Sequence, residues 1–359
     1  MTIVTHYTSE TLRIAWDALL VKKPKLRIRN AAAHLGVSEA TLLSTGVGST
    51  VTCLEVASRA GGWGDLLCDI EALGDVMALT RNDNAVHEKH GVYRSPEISG
   101  PIGLVLDKEI DLRVFLQSWS LGFAVRHRVN EAVWRRSLQF FDHYGQAVHK
   151  IFMTNESDNA AYDALVARYL SSDQTPLIPS SIPCRPKPAP ETPDDEIDVE
   201  AFQRSWRDLK DTHEFFGVLR KFGLSRTQAL RLAPEGWARE VDAVSLRETL
   251  QRVSAAELPV MVFVGSPGVI QIHSGPVRKL AVMGPWFNIL DPRFNLHLRE
   301  EGVASSWVVR KPTVDGVVTS LELFEAQGGT VAMFFGDRKP GFAENKTWRE
   351  QLSLLTQSA

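Results

Sequence analysis

Apolar and polar positions alternate most cleanly late in the chain. In Thr319-Ser320-Leu321-Glu322-Leu323-Phe324 the apolar residues recur at every second position, and Val331-Ala332-Met333-Phe334-Phe335 follows as a largely apolar run. A period of two places neighbouring side chains on opposite faces of a strand. Asp315-Gly316 and Gly328-Gly329 are hairpin turn signals on either side of the first segment, so these strands are expected to pair antiparallel. A different period runs through Phe202, Trp206, Leu209, His213 and Phe216. Steps of three and four residues mark one face of an α-helix. The spacing predicts a single helical stripe with an imidazole at its centre and Gly217 removing a side chain beside it. Gly223 is placed to end that helix, and Ser225-Arg226-Thr227-Gln228 reads as a capping box opening a short helix before Pro234.

Both patterns recur along the chain. Val76-Met77-Ala78-Leu79 corresponds to Val260-Met261-Val262-Phe263, and Ile110 to Phe115 corresponds to Phe294 to Arg299. Leu138 to Asp142 with Gly145 corresponds to Leu321 to Glu325 with Gly328, at a separation of about 184 residues throughout. Each half closes on a helical pattern, Ala160 to Tyr169 and Glu344 to Leu355. Between them, Ser171 to Asp198 carries Pro176, Pro179, Pro183, Pro186, Pro188, Pro190 and Pro193, then Asp194-Asp195-Glu196. Proline fixes φ and removes backbone donors, so this is an extended, semi-rigid linker. The expected organisation is a first half over 1–170 with a helical hairpin, a linker over 171–198, and a second half over 199–359. The expected fold is an α+β chain with internal duplication: two large antiparallel β-sheets with helices packed on them.

Composition narrows the function without choosing it. The 359 residues are 44% hydrophobic and 23% charged, as in ordinary globular proteins, and the net charge of −3 provides no basic field for nucleic acid. Three cysteines, Cys53, Cys68 and Cys184, form no CxxC or CxxCH pattern, which removes paired-cysteine zinc sites and covalent cofactor attachment. The first residues lack a basic region followed by an apolar core, and no apolar run approaches the roughly 20 residues of a membrane span. A cytoplasmic protein without membrane insertion is expected. No GxGxxG, GxxxxGK[ST] or GxSxG occurs.

The remaining candidates each carry an ordinary alternative. Residues 27–43 resemble a helix-turn-helix, with Gly36 as breaker and Ser38 as cap. The second helix begins Ser38-Glu39-Ala40-Thr41, which is acidic and small where a groove reader needs basic and amide side chains. A structural helical hairpin is favoured over a DNA-binding regulator. His87-Glu88-Lys89-His90 falls one residue short of HExxH and is expected to be a polar surface or edge segment. His213 is either a core histidine bonded to backbone or a ligand. Arg226 sits just inside a helix N-terminus, and Lys311 and Arg338 lie where two strands end in cations. All three cations are either solvated surface charges or parts of an anion site.

Several segments together resemble the hemin-degrading factor, or HemS-like, family of bacterial haem-uptake systems. They are Thr80 to Glu88, Asp111 to Leu116, Leu209 to Phe216, Phe287 to Pro292, Trp307 to Gly316 and Thr319 to Phe324. They span most of the chain in order. The resemblance implies a haem cleft between the halves, with His213 as axial iron ligand. It implies Arg113 as a distal and catalytic arginine, cations Arg226, Lys311 and Arg338 around the propionates, and Phe263 in the apolar pocket. Phe335 stands where many relatives carry Tyr. The implied function is cytoplasmic haem binding for iron acquisition, with haem either delivered to a haem oxygenase or degraded with external electrons. An inner-membrane haem ABC transporter is the implied source. The residues do not separate delivery from degradation.

Overall fold

The computed structural model describes residues 7–56, 62–128, 133–179, 182–186, 189–242, 245–338 and 341–356. In the first half the order is α1 (Ser9–Lys22), α2 (Ile28–Leu35), α3 (Glu39–Ser44), β1 (Val51–Leu54), α4 (Gly62–Asp69), β2 (Gly74–Arg81), β3 (Ala85–Gly91), β4 (Glu97–Ser99), β5 (Ile102–Leu106), β6 (Asp111–Phe115), β7 (Leu121–Arg128), β8 (Trp134–Phe141), β9 (Ala147–Ser157) and α5 (Asn159–Arg168). The second half continues with α6 (Val199–Arg207), α7 (Glu214–Phe222), α8 (Arg226–Arg231), β10 (Ala238–Val241), α9 (Ser245–Ala255), β11 (Val260–Gly265), β12 (Val269–Gly275), β13 (Leu280–Met283), β14 (Trp286–Asp291), β15 (Phe294–Arg299), β16 (Ser305–Thr313), β17 (Gly316–Phe324), β18 (Thr330–Gly336) and α10 (Lys346–Ser353).

The chain divides into two compact units that nearly follow the halves. Unit 1 comprises residues 1–81, 88–186 and 266–271, and unit 2 comprises 82–87, 187–265 and 272–359. Among the described residues the strands belong to two nine-stranded sheets, and the ladders within each unit are antiparallel. This is the fold class read from the alternation and turn signals. Within unit 1 one ladder runs β1-β7-β8-β9-β2 and another β4-β5-β6. Unit 2 repeats the arrangement as β10-β16-β17-β18-β11 and β13-β14-β15.

In unit 2 one face of the five-strand ladder carries Val260, Val262, Val308, Leu321, Leu323, Ala332 and Phe334, all buried under α9 and α10. Trp348 of α10 sits so close to Gly336 that a Cβ there would meet its ring at 2.8–2.9 Å, which is why the strand ends on glycine. The other face is covered only in part. Phe202, Trp206, Leu209, Phe215 and Leu219 pack with Leu224, Leu230, Val309 and Phe324 over β16 and β17. Full burial of large aromatics such as Trp206 and Phe215 is the main anchorage of these helices.

The helical stripe is corrected here. It does not form one helix: α6 ends at Arg207, and α7 begins at Glu214 with His213 as its N-cap residue. Polar side chains in the intervening turn take the backbone donors that a helix would need. Asp211 accepts from the His213 N–H at 2.7 Å, and Glu214 accepts from the Lys210 N–H at 2.7 Å. Asp therefore competes with the helix locally. Phe202, Trp206 and Leu209 are buried as expected, but Phe215 completes the apolar face while Phe216 points out, 63% exposed. His87 and Lys89, expected on a polar surface or edge, are buried within β3; the His87 ring lies 4.9 Å from that of Phe294.

Candidate functional site

His213 is held rather than buried. Its Nδ1–H donates to Asp211 at 2.5 Å, and the same carboxylate oxygen accepts its backbone N–H. A carboxylate on Nδ1 fixes the tautomer and leaves Nε2 with a lone pair for a metal. The imidazole is 88% exposed. The hydrogen bond from the His213 backbone is the largest influence lowering the Asp211 carboxyl; partial burial opposes it, and the imidazole and Arg338 add to it. One turn onward, exposed Phe216 continues the same face with Arg220 5.1 Å above its ring, and a Cβ at Gly217 would meet nothing within 4 Å. Imidazole, aromatic ring and bare glycine thus offer an unobstructed face to a flat ligand.

Beside α7 the uncovered part of the unit 2 ladder forms an apolar floor. Phe263 pairs with Met333 and Met261 with Phe335, and the Phe263 and Phe335 rings are 4.9 Å apart. Alternation places all four on the face opposite the core, and all four are half-buried. With Phe335 rather than a tyrosine, this floor has no hydroxyl at that position.

The three cations take different places. Ser225 caps α8 through the Gln228 N–H, but Gln228 turns its amide to Thr192 O and Asp194 rather than closing the reciprocal half of the capping box. Arg226, first residue of α8, donates from Nε and Nη2 to the two oxygens of Glu322 at 2.7 and 2.9 Å. Lys311 is buried and donates to Glu322 at 2.9 Å, and both cations lie over the Phe215 ring, at 5.4 and 4.7 Å. Burial pushes the Lys311 ammonium down to about 8 against the pull of Glu322. For Glu322 burial acts upward, but Arg226 and Lys311 together hold it well below the usual carboxylate range. Arg338 has Nη1 buried with no hydrogen-bond partner among the described residues, and its charge reaches Asp211. Lys339 and Pro340, which follow it in the chain, lie outside the described residues. His213, Arg226, Phe263, Lys311 and Arg338 all belong to unit 2, whereas Arg113 belongs to unit 1, on β6, ion-paired with Asp111.

Two residues of this site escaped the sequence reading. Asp211 was legible as Asp two residues before His213. Glu322 was legible as the one charged residue within Leu321-Glu322-Leu323. Among the described residues no group of three or more His, Cys, Asp or Glu side chains is placed to hold a metal ion.

Comparison with known proteins agrees with this geometry. A family model described as "Haemin-degrading HemS.ChuX domain" matches twice, at residues 36–169 and 223–355. The chain belongs to this family. The two matches begin at Gly36 and Gly223, the left-handed glycines that end α2 and α7 (φ 70° and 65°). The chain is 38% identical over 328 residues to the hemin transport protein HemS of Yersinia enterocolitica, covering 91% of this chain and 92% of that protein. Holo-PhuS, a heme-binding protein from Pseudomonas aeruginosa, superposes with a TM-score of 0.93 at 42% identity, covering 98% of this chain and all of that one. The heme-degrading enzyme ChuS of Escherichia coli O157:H7 superposes at 0.88 with 34% identity, covering 97% and 99%.

Nothing in these matches supports a DNA-binding regulator. The hairpin does fold as two helices, but every residue of α3 is buried, and Glu39 at its start is paired to Lys150. A helix packed on all sides has no face for a groove. Among the described residues no helix is long and apolar enough to cross a membrane.

Proposed function

We propose that this chain binds haem in haem uptake and iron acquisition, with His213 as the axial iron ligand. The observation that carries this reading is the exposed imidazole, tied by Nδ1 to Asp211, on an open face beside an apolar floor. An iron porphyrin needs a neutral nitrogen for its metal, an apolar surface for its ring and cations for its carboxylates. Unit 2 has each: Nε2 of His213, the Met261, Phe263, Met333 and Phe335 floor, and Arg226 and Arg338. The relatives' descriptions as heme-binding, hemin transport and heme-degrading proteins support the same class.

In this reading Asp211 orients the imidazole toward the metal. Arg338 and Arg226 neutralise the propionates, with Lys311 adding charge from beneath. Arg113 supplies a guanidinium on the distal side and is the catalytic candidate if oxygen is activated; Asp111 is its ion-pair partner. Bound haem would itself supply the redox chemistry. The second half, 199–359, carries the ligand, the first half, 1–170, supplies Arg113, and 171–198 joins them. The chain works in the cytoplasm, takes haem from an inner-membrane haem transporter, and either delivers it to a haem oxygenase or degrades it to release iron.

The test is spectroscopic. Ferric haem added to the protein should give a saturable Soret band that His213→Ala shifts and weakens. An unchanged spectrum and affinity in that variant would remove His213 as ligand. With a mild reductant and catalase present, a stable Soret band marks a carrier, and its loss with release of chelatable iron marks a degrading enzyme.

A further inference from the structure

Glu322 has no part in the reading above, and the duplication shows that the fold does not require it. β17 and β18 pair Glu322 with Met333, and β8 and β9 pair Gln139 with Lys150 at the corresponding place. Ser320 donates to Glu322 at 2.8 Å, just as Gln139 donates to Ser137 at 3.1 Å, two residues earlier on its own strand. The corresponding ladder of unit 1 therefore accepts a neutral amide. In unit 2 a fully buried carboxylate is retained, and a buried ion is costly unless its partners compensate. Those partners are Arg226, bidentate, and Lys311 behind it.

We infer that Glu322 is a positioning residue: with Lys311 beneath, its two oxygens fix the Arg226 guanidinium so that its outer edge recognises a carboxylate of the bound porphyrin. Nε and Nη2 of Arg226 are committed to Glu322, while Nη1 has no partner among the described residues. Two cations against one anion leave a single positive charge, with Arg226 as the member that reaches solvent: its side chain is 23% exposed, against 3% for Lys311 and 0% for Glu322. Nη2 also meets Met333 Sδ at 3.4 Å, so the guanidinium is held at the border of the apolar floor. Preorganising one charge in this way favours a diacid over its ester without adding a contact.

This inference rests on the haem reading, and the experiment separates their failures. Metal-free protoporphyrin IX and its dimethyl ester are titrated by fluorescence quenching, which needs neither iron nor His213. Wild-type protein should prefer the diacid. Glu322→Gln, the residue unit 1 uses, should reduce that preference about tenfold, with little change in ester binding. Arg226→Ala should reduce it equally, and the double variant should lose no more than either single one. Glu322→Asp should restore part of it. If Glu322→Gln does not fold, Lys311→Met leaves the bidentate pair in place and should lower the preference about threefold. A folded Glu322→Gln or Lys311→Met protein with wild-type preference overturns the inference, as does additivity with Arg226→Ala. Failure of wild-type protein to bind either porphyrin overturns the haem reading instead.

Discussion

At corresponding places the two halves carry different chemistry. In the first, Arg27 stands at the N-cap position of α2, α3 opens with Glu39 after the Ser38 cap, and Glu39 pairs with Lys150 on β9. In the second, α7 is capped by His213, α8 opens with Arg226 after the Ser225 cap, and β18 presents Met333 where β9 has Lys150. Register matches Leu79 and Phe152 of unit 1 with Phe263 and Phe335 of unit 2. One half thus closes its floor with a buried ion pair, and the other leaves an apolar floor edged by cations. On the proposed function, one duplicated scaffold takes a flat, apolar dianion in only the copy that these differences leave open.

The comparison can be broken most severely in unit 1. Glu39→Ala leaves Lys150 buried without its partner and should cost about 3–5 kcal/mol in denaturant unfolding, because an uncompensated buried charge is the expensive outcome. Arg226→Ala, which leaves Glu322 with Lys311, should cost less in the same measurement. In unit 2, His213→Ala should weaken haem binding about 100-fold by Soret titration, the scale of losing a metal ligand rather than a packing contact. Asp211→Ala should weaken it about tenfold, as expected for the partner of a metal-bound imidazole. Arg27→His should add no second equivalent of bound haem, because the ion pair beneath still interrupts the floor. A second equivalent there would show that the cap residue alone distinguishes the halves.

Acid separates the halves by sign and window. His149 of unit 1 is buried between Thr80 and Tyr93, and burial pushes its imidazole from 6.5 down to about 3. The unfolded chain then takes up the proton first, so this stability is intact above pH 6.5 and is lost as pH falls toward 3. Glu322 lies below its ordinary 4.5, so its contribution persists above that value and is lost only as pH falls beneath it. Urea unfolding should weaken from pH 6.5 downward. His149→Gln should flatten the curve between 6.5 and 4.5, whereas Glu322→Gln should lower the curve as a whole and, of these two windows, change the slope only below 4.5. A wild-type curve that is level down to pH 4.5 would contradict the placement of His149.

The fold was largely legible because it rests on local periods. Thr319 to Phe324, the Gly328-Gly329 turn and the spacing of about 184 residues required no long-range knowledge to predict paired strands repeated twice. The helix through His213 was misread for an equally physical reason. Leu209, His213 and Phe216 keep helical spacing, but Asp211 and Glu214 take the backbone donors, and spacing does not register that competition. Arg226, Lys311 and Arg338 could be named as cations from the chain. That two of them share one carboxylate could not, because Glu322 lies 96 residues from Arg226 and only the packing of α8 against β16 and β17 joins them.

By itself the sequence determined the strand and turn pattern, the duplication and the residue types from which a haem site could be made. These follow from periods of two and about 3.6 residues and from backbone chemistry that acts within a turn or two. The tertiary structure decided that His213 is an exposed cap held by Asp211 rather than a core residue. It also decided that Lys311 is buried behind Glu322, and that the floor beside Arg226 is apolar in one half and ion-paired in the other. Burial and charge pairing are set by residues brought together from distant strands, and a single chain of letters does not carry those distances.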